Sequence, residues 1–149
     1  MNVAILGATG AVGREMMKIL AERSFPVEEL RLLASPRSAG QKLLWQGREL
    51  TVQPAEDSAF EGMDIVLGAD IAKRFAPAIV KAGAVFVDNS SAFRMDSNVP
   101  LVIPEINPED VRRHKGIIAN PNCTTIVSLV AINALNQDSP IQSIIASSY

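Results

Sequence analysis

NVAILGATGAVGREMMKILAER, residues 2–23, is the stretch on which the fold turns. Asn2 to Leu6 is a short apolar run that stops at Gly7. From Arg14 to Arg23 the residues Met16, Met17, Ile19 and Leu20 recur at helical spacing. Strand, glycine turn and helix in that order open a βαβ unit. The glycines stand at 7, 10 and 13, a GxxGxxG spacing in place of the usual GxGxxG. The physics is similar: glycine permits a tight turn and lets backbone N–H groups approach a pyrophosphate at a helix N-terminus. A glycine turn that merely packs a helix on a strand would look alike. The position directly after a strand and before a helix is the one a dinucleotide site requires.

Outward from there the alternation continues. Glu29–Ala34 reads as a second strand, and Ser35-Pro36-Arg37-Ser38-Ala39-Gly40 as the loop at its end. NAD sites place an acid near this point to hold the ribose 2′-OH. This loop carries Ser35, Arg37 and Ser38 and no acid, a set suited to a 2′-phosphate; a solvated loop arginine is the bland alternative. Lys42–Trp45 and Arg48–Gln53 flank Gln46-Gly47 as a hairpin. Asp64–Leu67 is a further strand. Ile71–Ala82 is a helix that Pro77 kinks or restarts and Gly83 ends. Ala84–Asp88 is a strand followed by the polar loop Asp88-Asn89-Ser90-Ser91-Ala92-Phe93-Arg94. Arg94 in such a loop suits an anion, or is simply a surface arginine. Leu101–Ile103 is an extended piece. Asn107 caps a helix with Pro108 at its first position and acids in its first turn, ending near Lys115-Gly116. Ile141–Ser148 reads as a last strand. The fold class is therefore α/β: one domain over residues 1–149 with a doubly wound, mostly parallel Rossmann-type sheet and helices on both faces.

The totals narrow the function. The chain has 149 residues, 48% of them hydrophobic and 20% charged, which suits a folded globule with a real core. A net charge of −2 implies no basic face and so no nucleic-acid partner. No run of 18 apolar residues offers a membrane span, and MNVAILGATG lacks the features of a signal peptide. The single cysteine cannot form an internal disulfide, which fits a reducing, cytoplasmic setting. No metal site is expected.

That cysteine lies in IIANPNCTTIVSL, residues 117–129: a short buried strand, a Pro-containing turn, then a helix running to about Asn136 with an apolar sequence that fits a packed core. Cys123 stands where turn becomes helix. Unpaired N–H groups and the positive end of the helix dipole favour the nucleophilic form of a thiol there. A lone cysteine is more often inert core, but a polar NPNCTT turn at the C-terminal end of a strand is where open α/β sheets bind ligands. The Gly7–Gly13 turn, the Asn89–Arg94 loop and the Cys123 turn thus share one sheet end. A dinucleotide, an anion-binding arginine and a nucleophilic thiol fit aldehyde oxidation through a thioester.

The sequence here resembles the aspartate-semialdehyde dehydrogenases. The resemblance rests on GATGAVG at 7–13, SPRSAG at 35–40, AGAVFVDNSSAFRMD at 82–96, VIPEIN at 102–107 and ANPNCTT at 119–125, in the family's order and over nearly the whole chain. It implies that Thr9, Gly10, Ala11, Val12 and Gly13 cradle the pyrophosphate of NADP, and that Arg37 with Ser38 holds the 2′-phosphate. It implies that Arg94 binds phosphate with support from Asn89. Cys123 would form the acyl-enzyme, with Asn122 helping the oxyanion. The family interconverts aspartate semialdehyde, phosphate and NADP with aspartyl phosphate and NADPH, in lysine, threonine and methionine biosynthesis. Gly68-Ala69-Asp70-Ile71 is shorter than the family's Gly-Gly-containing segment near the cofactor. Family members are also more than twice this long. Their base His, their carboxylate-binding Arg and most of the interface of a homo-oligomer belong to a second domain after Tyr149, so this chain alone is expected not to turn over.

His114 does not replace that base. Four strand residues at about 3.3 Å each already set it more than ~13 Å from Cys123, whereas a base works within about 3 Å or through one water. Two other readings compete: a non-catalytic NADP-binding or subunit-interacting protein built from this domain, and an extended NAD(P)-dependent reductase or epimerase. The latter needs a Tyr-x-x-x-Lys pair, and the only tyrosine is Tyr149, the last residue.

Overall fold

The structure is a computed structural model that describes residues 1–69 and 71–147. It begins as the opening stretch requires, with β1 (Asn2–Leu6), the glycine turn, α1 (Ala11–Glu22) and β2 (Glu29–Ala34). A small hairpin, β3 (Lys42–Trp45) and β4 (Arg48–Thr51), precedes β5 (Gln53–Pro54). Then come β6 (Ile65–Gly68), α2 (Ala72–Lys81), β7 (Val85–Asp88), β8 (Ile117–Ala119) and α3 (Cys123–Asp138). Six strands form one sheet in the order β5-β2-β1-β6-β7-β8, and every pairing in it is parallel. The chain winds outward from β1 in one direction and then returns to wind in the other. The strand order therefore reverses beside the C-terminal end of β1, which makes that end the ligand crevice of such sheets.

Both faces of the sheet are covered, so β1 is apolar and buried from Val3 to Leu6 and does not alternate. On one face Ala4, Leu6, Leu33, Val66 and Phe86 pack with Phe75, Ala76 and Ile79 of α2 and with Phe60 and Met63. On the other face Val3, Ile5, Leu30 and Leu32 pack with Met17 and Leu20 of α1 and with Trp45 and Val52. Trp45 anchors the hairpin to α1, its indole N–H donating to the Met17 carbonyl at 2.9 Å. The hairpin turn itself puts Gln46 and Gly47 at φ 46° and 76°, the twist that two-residue β-turns need.

Several expected elements take another form. The strand expected over Arg48–Gln53 divides at Val52. Val52 donates to the Gln41 carbonyl and is buried, and Gln53 and Pro54 leave the hairpin to pair with Leu33 and Ala34 of β2. Pro77 does not start a second helix; α2 runs through it from Ala72 to Lys81. The helix expected after Asn107 is a 3₁₀ helix, Pro108–Arg113. Asn107 does not cap it: its Oδ1 accepts from the Ile103 N–H at 2.8 Å, and its Nδ2 donates to the Leu101 carbonyl and to Asp110. This side chain is used to fold the 101–107 segment back on itself.

The largest departures lie after Cys123. α3 is a 16-residue helix in which no residue is buried, whereas its sequence had suggested a helix packed in a core. Val127 is 76% exposed and Leu135 66%. A helix apolar on all sides is one built to be surrounded, and among the described residues nothing surrounds it. The strand expected at Ile141–Ser148 does not form over residues 141–147 (Ser148 lies outside the described residues): a strand needs a partner, and among the described residues no strand pairs with this segment. The Ile141 N–H is instead taken by the Asn136 side chain at 2.9 Å.

The covered faces carry the stability. Phe75 is 1% exposed and meets the ring of Phe60 edge-on at 5.5 Å between centroids. Phe75→Ala is expected to lower stability by about 3–5 kcal/mol, read as a fall in the urea midpoint. A loss under about 1 kcal/mol would mean that α2 is not part of the core.

Candidate active site at the C-terminal end of the sheet

The glycine turn is a compact object held to β2. The N–H groups of Gly7 and Ala8 both donate to the Leu33 carbonyl, at 2.8 and 3.1 Å, and Gly10 N–H donates back to the Gly7 carbonyl at 3.0 Å. Gly7 has φ +88°, a left-handed conformation that favours glycine. Gly13 is needed for a different reason. A Cβ there would stand 2.4 Å from the Gly7 carbonyl oxygen and 2.7 Å from Ala8 Cα. Its absence lets the first turn of α1 sit directly on the end of β1.

The first intrahelical bond runs from Arg14 N–H to the Gly10 carbonyl. The N–H groups of Ala11, Val12 and Gly13 therefore have no partner among the described residues. They border a cavity of 180 Å³ lined by Leu6, Gly7, Gly10, Ala11, Val12, Gly13, Met16 and Ala69. Open donors at a helix N-terminus beside a glycine-lined cavity fit the pyrophosphate of a dinucleotide. Thr9 lies in the same turn, and its carbonyl accepts from Arg14 Nε at 3.3 Å. Ser35, Arg37 and Ser38 occupy the short 3₁₀ turn Pro36–Ser38 and the residue before it, at the end of β2 next to the glycine turn. The Arg37 guanidinium is exposed and pairs with nothing among the described residues.

At the other side of the crevice, β7 and β8 bring two loops together. Asp88 pairs with Ala119 in register. Asn89 and Asn120, 31 residues apart in sequence, meet just beyond, with Asn120 Nδ2 donating to Asn89 Oδ1 at 2.6 Å. Arg94 lies across both: Nε donates to the Asn120 carbonyl at 2.9 Å and Nη2 to the Asn89 carbonyl at 3.2 Å. Its Nη1 has no partner among the described residues. Asp88 is fully buried, and its carboxylate accepts from the Ser90 N–H and hydroxyl, both at 2.9 Å, which shapes the turn into the loop. Asp88, Ser90 and Asn120 were not singled out in the sequence. An Asp-x-Ser turn was legible there as turn chemistry, but only the parallel pairing of β7 and β8 shows that Asn120 touches Asn89.

Cys123 is the first residue of α3 and is exposed. Asn122 is the N-cap of that helix, its Oδ1 accepting from the Thr124 N–H at 2.9 Å. The carbonyl end of this amide is thus used in the fold, and Nδ2 is the end left to meet an oxyanion. His114 precedes β8 while Cys123 follows it, and His114 Nδ1 already accepts from the Gly116 N–H at 3.1 Å. The structure thus brings Asn89, Arg94, Asn122 and Cys123 to one group of loops. Gly7–Gly13 and Arg37 form a second group beyond β6, with the Cys123 turn after β8 three strand spacings from the glycine turn after β1, or about 14 Å at ~4.8 Å each.

Residues 2–114 match the family described as semialdehyde dehydrogenase, NAD binding domain. The chain belongs to this family. Similarity to individual semialdehyde dehydrogenases extends past the Cys123 turn. The aspartate-semialdehyde dehydrogenase of Synechocystis sp. is 60% identical over 99% of this chain, and that of Bacillus subtilis 48% identical over 100%. Among solved structures, aspartate semialdehyde dehydrogenase II from Vibrio cholerae, complexed with ASA, superposes with a TM-score of 0.87 at 45% identity over 91% of this chain. The Candida albicans enzyme with NADP superposes with a TM-score of 0.73 at 27% identity over 94% of it. The chain spans less than half the length of these relatives, 45% and 44% of the two sequences and 46% and 48% of the two structures. Among the described residues of this family member, no helix is long and apolar enough to cross a membrane.

The two glycines give a graded test. Gly13→Ala forces backbone apart and is expected to cost about 1–3 kcal/mol and to abolish measurable dinucleotide binding by calorimetry. Gly10→Ala, whose Cβ would lie 3.4 Å from the Gly7 carbonyl, is expected to be milder in both readouts. The reverse order would contradict the close approach of α1 to β1.

Proposed function

We propose that this chain is the NADP-binding, thiol-bearing part of an aspartate-semialdehyde dehydrogenase. The reaction is the reversible, phosphate-dependent conversion of L-aspartate 4-semialdehyde to L-4-aspartyl phosphate, in the biosynthesis of lysine, threonine and methionine. The observation that carries this reading is the hydrogen bond from Arg94 Nε to the carbonyl of Asn120, three residues before Cys123. It ties a cation to the segment that leads into a helix-terminal thiol. The relatives supply the substrate and cofactor class: one solved structure is complexed with ASA and another is with NADP.

The chain's residues divide the work as follows. The Cys123 thiolate adds to the aldehyde carbon; a C–S bond forms and the carbonyl oxygen becomes an oxyanion, which the Asn122 Nδ2 group can meet. NADP, when bound by Thr9–Gly13 with Ser35, Arg37 and Ser38 at the 2′-phosphate, supplies the hydride acceptor that takes the adduct to a thioester. Arg94 Nη1 draws inorganic phosphate to the thioester, with Asn89 holding the loop. A phosphate oxygen attacks the thioester carbon, the C–S bond breaks, its electron pair returns to Cys123 Sγ and the acyl phosphate leaves. A general base is still required, and His114 is placed and hydrogen-bonded so as not to be it.

The uncovered surface of α3 favours a second reading. A chain that binds NADP and associates through α3 without turning over would show the same bare apolar helix.

Two measurements test these statements. NADP is expected to bind more tightly than NAD, and Arg37→Ala to lose about 10- to 100-fold of NADP affinity, the size of a charge-assisted hydrogen bond, with NAD affinity little changed. Equal affinities in the unaltered chain would overturn the 2′-phosphate assignment. In phosphate-dependent NADPH formation from aspartate semialdehyde, the 149-residue chain is expected to run at least about 10²-fold below a full-length relative, the least that loss of a general base costs. Turnover near the full-length rate, abolished by Cys123→Ser, would require a base among residues 1–149.

A further inference from the structure

Arg94 and Cys123 hang from different strands, and two side chains, Arg94 and Asn120, tie their loops together. Asn120 is the first residue after β8. Its N–H donates to the Asp88 carbonyl at 2.8 Å, its carbonyl accepts from Arg94 Nε at 2.9 Å, and its Nδ2 donates to Asn89 Oδ1 at 2.6 Å. Arg94 Nη2 closes the ring on the Asn89 carbonyl at 3.2 Å. Of these links only the amide–amide bond depends on the Asn120 side chain. The bond to Asp88 is backbone and continues the parallel ladder. Without the side chain, the half-buried Asn89 loses the donor to its Oδ1, and its loop loses one of the restraints that tie it to β8. Arg94 is on that loop.

We propose that Asn120 is a positioning residue for anion recognition: through Asn89 it fixes where the Arg94 charge stands relative to the Cys123 thiol. This rests on the reading of Arg94 as the anion-binding group. Cys123 is three residues on from Asn120, so the backbone that holds the guanidinium and the backbone that carries the thiol lie within about 11 Å along the chain. At that range a unit charge still biases the approach of an anion, and salt removes the bias.

The test uses the one thiol of the chain. Second-order alkylation rates of Cys123 are measured with iodoacetate, an anion, and iodoacetamide, its neutral counterpart, at low ionic strength and in 1 M salt. The ratio of the two rates cancels any change in the exposure or reactivity of the thiol, which a purely structural role would alter. A unit charge at about 9 Å and an effective dielectric between 80 and 40 raises the ratio about two- to five-fold. Arg94→Ala is expected to remove that enhancement. Asn120→Ala is expected to bring the ratio down to the Arg94→Ala value. Asn89→Ala deletes the same bond from the other side and should do likewise, and the double variant Asn89→Ala/Asn120→Ala should fall no further, because one interaction is lost once. Far-UV circular dichroism checks the sheet; if Asn120→Ala does not fold, Asn89→Ala carries the comparison. A ratio lowered by Arg94→Ala but kept by Asn120→Ala, or by Asn89→Ala in its place, overturns the positioning role and leaves the anion site standing. A ratio that Arg94→Ala does not change overturns the anion site, and the role of Asn120 with it.

Discussion

The contact between Gly13 and the Gly7 carbonyl governs the architecture. With no Cβ in the way, α1 begins directly on the end of β1, and its open N–H groups point out over the sheet edge. The same turn is tied sideways, since Gly7 and Ala8 share the Leu33 carbonyl of the neighbouring strand. The turn is therefore part of the sheet and not a loop attached to it. That rigidity is what a phosphate-binding turn requires, because its donors must already be in place when the anion arrives.

An all-parallel sheet then decides where everything else can be. Every strand delivers its following loop to the same edge, so residues far apart in sequence become neighbours there. Asn89 and Asn120 are the clearest instance: a one-step extension of the Asp88–Ala119 register brings their amides together. Arg94 is held by backbone carbonyls from both loops, which spends Nε and one Nη2 hydrogen on structure and leaves Nη1 for a ligand. The fully buried Asp88 carboxylate follows the same logic, since its oxygens are occupied in shaping the turn at Ser90.

α3 contrasts with this finished half. It is capped properly at Asn122 and carries the thiol at its first residue, yet its apolar sides face outward. Local chemistry is enough to start a helix there, while burial needs a second surface. The unpaired segment after it, with Ile145 almost fully exposed, has the same cause. The relatives are more than twice as long as this chain, which agrees with a helix whose sequence is written for an interior.

The amino-acid sequence by itself determined the elements whose signals are local. The strand–glycine–helix opening, Glu29–Ala34 and its acid-free loop, the Gln46-Gly47 turn and the placement of Cys123 at a helix start follow from spacing and turn chemistry within a few residues. The tertiary structure decided whatever depends on a distant partner. Val52 turns inward and hands Gln53 to β2. Asn107 uses its amide on residues 101–103 and 110 and not as a helix cap. Asn120 reaches Asn89 across the sheet. Residues 141–147 pair with no strand among the described residues. Hydrophobic pattern and propensity report what a segment can become, but hydrogen bonds between segments and burial of a helix face exist only when another part of the fold supplies the second half.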